Sequence, residues 1–295
     1  MANSLKYQLQ GLMNRNRDGS FSTQSARKSI LVQAAKQLKI GGFRNMNPES
    51  LKPKHIQYLV SSWQEQKLSP GTIKNRMAHL RWWAEKVGKP SMLPKSNTDE
   101  RGPILLNIEN RSYIPEENKA REIVSNKLDL ITDKHVKLSL RMQREFGLRR
   151  EEAIKFSPTF AVQGDELKLK ASWTKGGRAR TIPIRTESQK KLLSDIKMLV
   201  GGGALIPVNR NYIKQLNVYK SETQKAGMDF NHGLRHRYAQ DRYLEIAGWR
   251  SPIDGGTPQK NLTQEQREVD RAARLIISSE LGHERERITN SYLGT

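Results

Sequence analysis

Two arginines, two histidines and one tyrosine stand in short, ordered motifs whose chemistry suits attack on a DNA phosphodiester. Gly147-Leu148-Arg149-Arg150-Glu151-Glu152 comes first, His232-Gly233-Leu234-Arg235-His236 follows, and Leu281-Gly282-His283 leads to Tyr292, nine positions after its histidine. A phosphodiester under attack gains charge on its equatorial oxygens, so fixed cations must meet it there. Arginine offers a planar, two-pronged donor that stays charged at any working pH. A tyrosine hydroxyl, with a reference pKa of about 10, keeps its proton near neutrality and needs a partner to take it, for which His232 is the expected group. Taken singly, Arg149 also fits a helix cap, His232 a helix start and Tyr292 a terminal aromatic packed on its domain. The constellation carries the reading.

Composition points the same way. The 295 residues hold 52 Lys+Arg against 30 Asp+Glu, a net charge of +22, and such a field favours a polyanion. No apolar run approaches the roughly 20 residues that span a bilayer, and the N-terminus has no signal-peptide core, so no membrane association is expected. The absence of cysteine excludes disulfides and thiolate metal sites. The expected location is the cytoplasm, in association with the nucleoid.

The elements that must position these residues follow from periodicity and caps. The first part reads as four helices, three of them delimited by their residues. One runs from Ser22-Thr23 through Lys39, one opens at Pro53 with Ile56, Leu59, Val60 and Trp63 on one face, and one follows Ser69-Pro70 with Ile73, Met77, Leu80 and Trp83 at helical spacing. Lys74, Arg76, Arg81 and Lys86 fall largely off that last stripe, which makes them candidate phosphate contacts. A break rich in Pro, Gly and Ser between Gly88 and Asn118 divides the chain into a helical domain over 1–95, a linker over 96–118 and a second domain over 119–295. There, Thr132 caps a helix to Phe146 that Gly147 stops, and Arg149 to Phe156 forms another. Leu167, Leu169, Ala171 and Trp173 alternate as a strand that returns at Thr181 to Ile184, with Lys175 at the hairpin tip. Helices are expected at 186–199, 209–226, 232–247 and 265–281. The fold class is thus mainly α with a small antiparallel sheet.

Together the sets GLRREEA, TKGGRARTIPI, HGLRHRYA and LGHERERITNSYLG resemble the tyrosine recombinases of the phage-integrase and Xer type. The resemblance covers most of the chain, from about residue 20 to Tyr292. It implies a two-domain DNA clamp, with a helical core-binding domain on one side of the duplex and a catalytic domain on the other. It makes Arg149 and Arg235 the catalytic arginines, Glu152 the acidic residue supporting them, and Lys175 the donor of a proton to the leaving 5′ oxygen. His232 becomes the partner of Arg235, His236 a packed supporting residue, His283 a donor to a phosphate oxygen and Tyr292 the nucleophile. Arg178, beside the hairpin lysine, joins Lys74, Arg76 and Arg81 as an expected DNA contact. The chemistry implied is cleavage and rejoining through a 3′-phosphotyrosyl bond, which conserves the phosphodiester energy and requires neither metal nor ATP nor other cofactor.

The expected partner is double-stranded DNA carrying inverted-repeat sites, bound by a homotetramer, with accessory bending or directionality factors. The expected role is integration or excision of a mobile element. The alternatives are a type IB topoisomerase-like enzyme, or a catalytically idle DNA-binding protein on the same scaffold. Two features depart from the family pattern. Arg235 and His283 are 48 residues apart, about twice the family's habit, and the surplus over 248–274 reads as an inserted surface loop and a lengthened helix. Only Leu293-Gly294-Thr295 follow the tyrosine, too little for an exchanged C-terminal segment, so the insertion is the expected subunit contact.

Overall fold

A computed structural model describes residues 4–97, 106–109, 114–174, 176–283 and 285–295. The chain divides into two compact units, Met1–Ser112 and Tyr113–Thr295. Among the described residues, no helix is long and apolar enough to cross a membrane.

Among the described residues, the first unit holds four α-helices: α1 (Leu5–Arg15), α2 (Phe21–Ile40), α3 (Pro53–Glu65) and α4 (Pro70–Lys86). The hydroxyls of Ser4, Ser20 and Ser69 accept from the backbone N–H groups of Tyr7, Thr23 and Thr72, satisfying donors that a helix start leaves orphaned. The α2 cap is therefore Ser20, two residues before the expected Ser22. The apolar stripes converge on a core that includes Leu9, Leu31, Leu38, Leu59, Trp63, Met77 and Trp83. Buried indoles need partners, and Trp63 Nε1 donates to Gln37 while Trp83 Nε1 donates to the Pro48 carbonyl, each at 3.0 Å. Leu106 and Ile108, within the stretch read as linker, are buried in this same core.

Two of the side chains expected to contact DNA from α4 have partners within the protein. Arg81 donates to the Pro94 carbonyl at 2.9 Å and to Asn97 Oδ1 at 2.5 Å, so it pins the segment after α4. Arg76 lies over the Trp63 ring, 5.1 Å from its centroid. Lys74 is exposed.

The second unit begins with α5 (Ser125–Asp129), α6 (Lys134–Phe146), α7 (Arg150–Lys155) and α8 (Pro158–Ala161). A sheet of β1 (Val162–Gln163), β2 (Glu166–Leu169) and β3 (Arg180–Pro183) follows. The unit then continues through α9 (Glu187–Val200), α10 (Tyr212–Lys225), α11 (His232–Ala247), α12 (Gln264–Glu280) and α13 (Asn290–Leu293). The sheet is antiparallel in the order β1-β2-β3, with Val162 opposite Leu167 and Leu167 opposite Ile182. The long strand expected to reach Trp173 stops at Leu169. A 3-10 turn over Ala171–Trp173 swings the indole onto the core side, against the rings of Phe156 and Phe160. Asp133, not Thr132, caps α6: its carboxylate accepts from Val136 N at 3.0 Å, while the Thr132 hydroxyl donates to Glu222.

The segment over 248–274, exposed over 263–269, is also tied into the core. Ser251 and Leu262 are buried, and α12 turns Asp270, Ala273, Arg274 and Ile277 inward, where its apolar residues share a core with Tyr243, Tyr292 and Leu293. A Cβ on Gly294 would stand 2.9 Å from Ile253 N, so the inserted turn packs directly beneath the end of α13.

Candidate active site

Three helix boundaries assemble the site. Gly147 ends α6 in the left-handed conformation, at φ 60°, which glycine adopts without the cost a Cβ imposes. A Cβ there would also meet the Tyr238 ring at 2.4 Å. This turn points the Gly147 carbonyl at Arg235 and starts α7 with Arg149 as its N-cap. At the end of α12, Gly282 makes a second left-handed turn, at φ 67°. Leu281 thereby presents its carbonyl to Arg235 Nη2, and His283 turns back toward Tyr292.

Glu152 is fully buried at the base. It accepts from Arg149 through both the backbone N–H (2.7 Å) and Nη1 (2.8 Å), and from Arg180 through Nη1 (2.8 Å) and Nη2 (2.6 Å). Burial alone would raise its carboxyl, but the Arg180 hydrogen bonds and the charges of Arg180, Arg235 and Arg149 outweigh that and hold it down at about 2. A depressed carboxyl contributes stability that is present in full above its ordinary value of 4.5 and is lost as pH falls through about 2. The contribution is on the order of 3 kcal/mol. Melting curves from pH 7 to pH 2 should therefore show a decline beginning below pH 4.5. Glu152→Gln should melt lower at pH 7 and lose less on acidification. An unchanged acid slope in the variant would remove Glu152 from this role.

Arg235 is fully buried on α11. Its Nη1 donates to the Gly147 carbonyl, its Nη2 to that of Leu281, and its Nε to Tyr292 Oη at 3.3 Å. The Tyr292 ring covers it, 5.8 Å from the guanidinium. Burial, and then the neighbouring guanidinium charges against the opposing pull of Tyr292, bring Arg235 to about 10, still charged at neutral pH.

His283 Nε2 lies 3.3 Å from Tyr292 Oη and 3.4 Å from Arg235 Nη2. Arginine only donates, so the tautomer that suits both neighbours leaves Nε2 unprotonated, its one lone pair shared between Arg235 and the tyrosine hydroxyl. Desolvation first, and the charges of Arg235 and Arg149 next, hold His283 at about 3. His232, at the rim, is held at about 4 by the same causes, and His236 at about 4 by burial and then the charges of His232, Lys119 and Arg235. All three imidazoles are neutral near pH 7. His236 stacks obliquely on Tyr292, with centroids 4.6 Å apart, whereas the His232 centroid is 6.2 Å away. The imidazole nitrogen within hydrogen-bond reach of the hydroxyl is thus that of His283, where motif order had pointed to His232.

The structure thus brings Arg149, Glu152, His232, Arg235, His236, His283 and Tyr292 together. Lys175 lies outside the described residues. Arg178 is exposed, with its backbone tied to Thr174 Oγ1. Sequence reading passed over Arg180, which completes the Glu152 cluster and also donates to the Glu280 carbonyl at 2.9 Å. No local signal in the sequence singles it out from Arg178.

A family model described as the phage integrase N-terminal domain matches residues 1–93, and an integrase model matches residues 114–241. A lambda integrase tetramer bound to a Holliday junction has a TM-score of 0.57 at 14% identity, over 97% of this chain and 76% of that one. XerH recombinase in a pre-cleavage complex with its difH substrate gives 0.55 at 16% identity, over 97% and 81%. The Tn1549 transposon integrase with circular-intermediate DNA gives 0.55 at 12%, over 98% and 95%. No curated protein matches the sequence. The chain belongs to the phage integrase family of tyrosine recombinases, enzymes of DNA recombination and integration.

Proposed function

We propose that this chain is a site-specific recombinase that cleaves and rejoins DNA through a 3′-phosphotyrosyl intermediate, serving integration or excision of a mobile element. The observation that carries the proposal is the seat of Tyr292 Oη, within 3.3 Å of both a buried arginine and a neutral histidine acceptor. Tyr292 Oη attacks the phosphorus as its proton passes to His283 Nε2, and the bond to the 5′ oxygen breaks. Arg149 and Arg235 hold the charge that grows on the equatorial oxygens. The family resemblance assigns Lys175 to protonate the leaving 5′ oxygen. Because Arg235 is covered by the tyrosine ring, the ring tilts aside to admit the phosphate. Attack by a 5′ hydroxyl on the phosphotyrosine reverses each transfer and joins the strands.

The DNA partner and an assembly of several subunits fit relatives whose structures are an integrase tetramer on a Holliday junction and an integrase dimer on a core site. For this chain we propose a homotetramer on paired inverted-repeat sites, aided by accessory factors. Two plasmids carrying the repeats that flank its gene provide the test. Recombinant product formed in the presence of EDTA is expected. Relaxation of supercoils without exchange would indicate the topoisomerase-like enzyme, and binding without either would indicate an idle scaffold.

A further inference from the structure

The segment after α11 buries a polar network that the chemistry above does not use. Arg274 is fully buried, and its Nε donates to both carboxylate oxygens of Asp270 at 2.9 Å. Asp270 also accepts from Tyr243 Oη at 2.6 Å and from Gln259 Nε2 at 2.7 Å. The guanidinium lies 5.8 Å from the Tyr243 ring centroid. Its Nη1 reaches out of the pair to Asn290 Oδ1 at 3.1 Å. Asn290 is the first residue of α13, two positions before Tyr292. On the other side of that short helix, Gln240 Nε2 donates to the Tyr292 carbonyl at 3.1 Å.

Such a pair is a poor source of stability. Desolvating two charges can cost as much as their attraction returns, and apolar residues of similar volume often do as well. Here the cost is higher still, because Arg274 Nη2 is buried without a hydrogen-bond partner. What the pair provides is position. Asp270 is fixed by donors from α11 and the inserted loop, it orients the Arg274 fork, and the fork holds the start of a helix only four residues long, too short to define its own direction.

We infer that Arg274 is a positioning residue for the nucleophile: through Asn290 it holds α13 so that Tyr292 stays seated in the active site of its own subunit. This rests on Tyr292 being the nucleophile. The segment over 248–274 is then a brace for the tyrosine, in place of the subunit contact expected from sequence.

Single-turnover adduct formation on a nicked suicide duplex, with DNA affinity and melting temperature measured in parallel, tests the inference. Asn290→Ala leaves the Asp270–Arg274 pair intact and cuts only its link to α13. Its adduct rate should fall on the order of 10- to 100-fold, as for a nucleophile displaced by about an ångström, with unchanged DNA affinity and melting. Asn290→Asp, which keeps an acceptor for the guanidinium, should restore the rate. Arg274→Lys should slow the adduct rate as much as Asn290→Ala while also melting lower through its weakened Asp270 pair, and the double variant should be no slower than either single one, because both cut the same link to α13. A full adduct rate in Asn290→Ala overturns the inference. So does a loss of DNA affinity parallel to the loss of rate, or additive losses in the double variant. If the parent chain forms no adduct at all, or if Tyr292→Phe still forms one, the nucleophile assignment fails instead, and the two failures are distinct.

Discussion

Tyr292→Phe is expected to bind its DNA sites as the parent chain does and to form no covalent protein–DNA adduct. The substitution deletes one oxygen. The ring keeps its place against His236, at a centroid distance of 4.6 Å, and over the Arg235 guanidinium. The fold loses only the 3.3 Å contacts of the hydroxyl with Arg235 and His283, worth on the order of 1 kcal/mol. The chemistry loses everything, because among the described residues no other hydroxyl shares this seat. Tyr238 and Tyr243, the other tyrosines of the same core, point their hydroxyls at Glu280 and Asp270 and are pushed upward from their ordinary pKa, first by burial and then by those carboxylates. A detergent-resistant adduct that persists in Tyr292→Phe would require a different nucleophile.

Arg235→Lys, conservative by charge, should behave as a severe lesion. The arginine spends Nη1 and Nη2 on two buried carbonyls, those of Gly147 and Leu281, and keeps Nε for the tyrosine hydroxyl. A lysine ammonium cannot reproduce that fork from one nitrogen. Cleavage should slow by about 10²-fold or more, the usual cost of removing one donor from a developing oxyanion. Stability should fall too, by about 3 kcal/mol, since a buried carbonyl is left unpaired where two helix boundaries meet. Quench-flow cleavage and thermal melting report the two effects separately. A lysine variant that melts lower but cleaves at the parent rate would make Arg235 a structural pin alone.

The motifs carrying Arg149, Arg235 and Tyr292 were legible because each sits at a helix boundary marked by glycine, asparagine or threonine, and boundary chemistry is local. What was not legible depends on contacts across the fold. Glu152 and Arg180 are 28 positions apart, and nothing in an RAR run says which arginine turns inward. His232 and His283 are equivalent on paper. Only the turn at Gly282 decides which of them meets the hydroxyl. Asp270 and Arg274 stand at an i, i+4 spacing that suits a pair on a solvated helix face, yet they are buried, with Tyr243 and Asn290 of α13 bonded to them. For Arg76 and Arg81, periodicity locates where the side chain leaves the helix and not where its charged end comes to rest, over the Trp63 ring and at Pro94 and Asn97.

The central claim is that Tyr292 itself attaches to a 3′ phosphate without help from a metal ion. Incubating the parent chain with a nicked suicide duplex in EDTA, digesting both protein and DNA, and sequencing the linked peptide by mass spectrometry tests it directly. The expected product is the C-terminal peptide carrying a nucleotide on Tyr292 through its 3′ phosphate, with a free 5′ hydroxyl on the released strand. A link to any other residue, a 5′-phosphate linkage, or an adduct that forms only when magnesium is restored would contradict it.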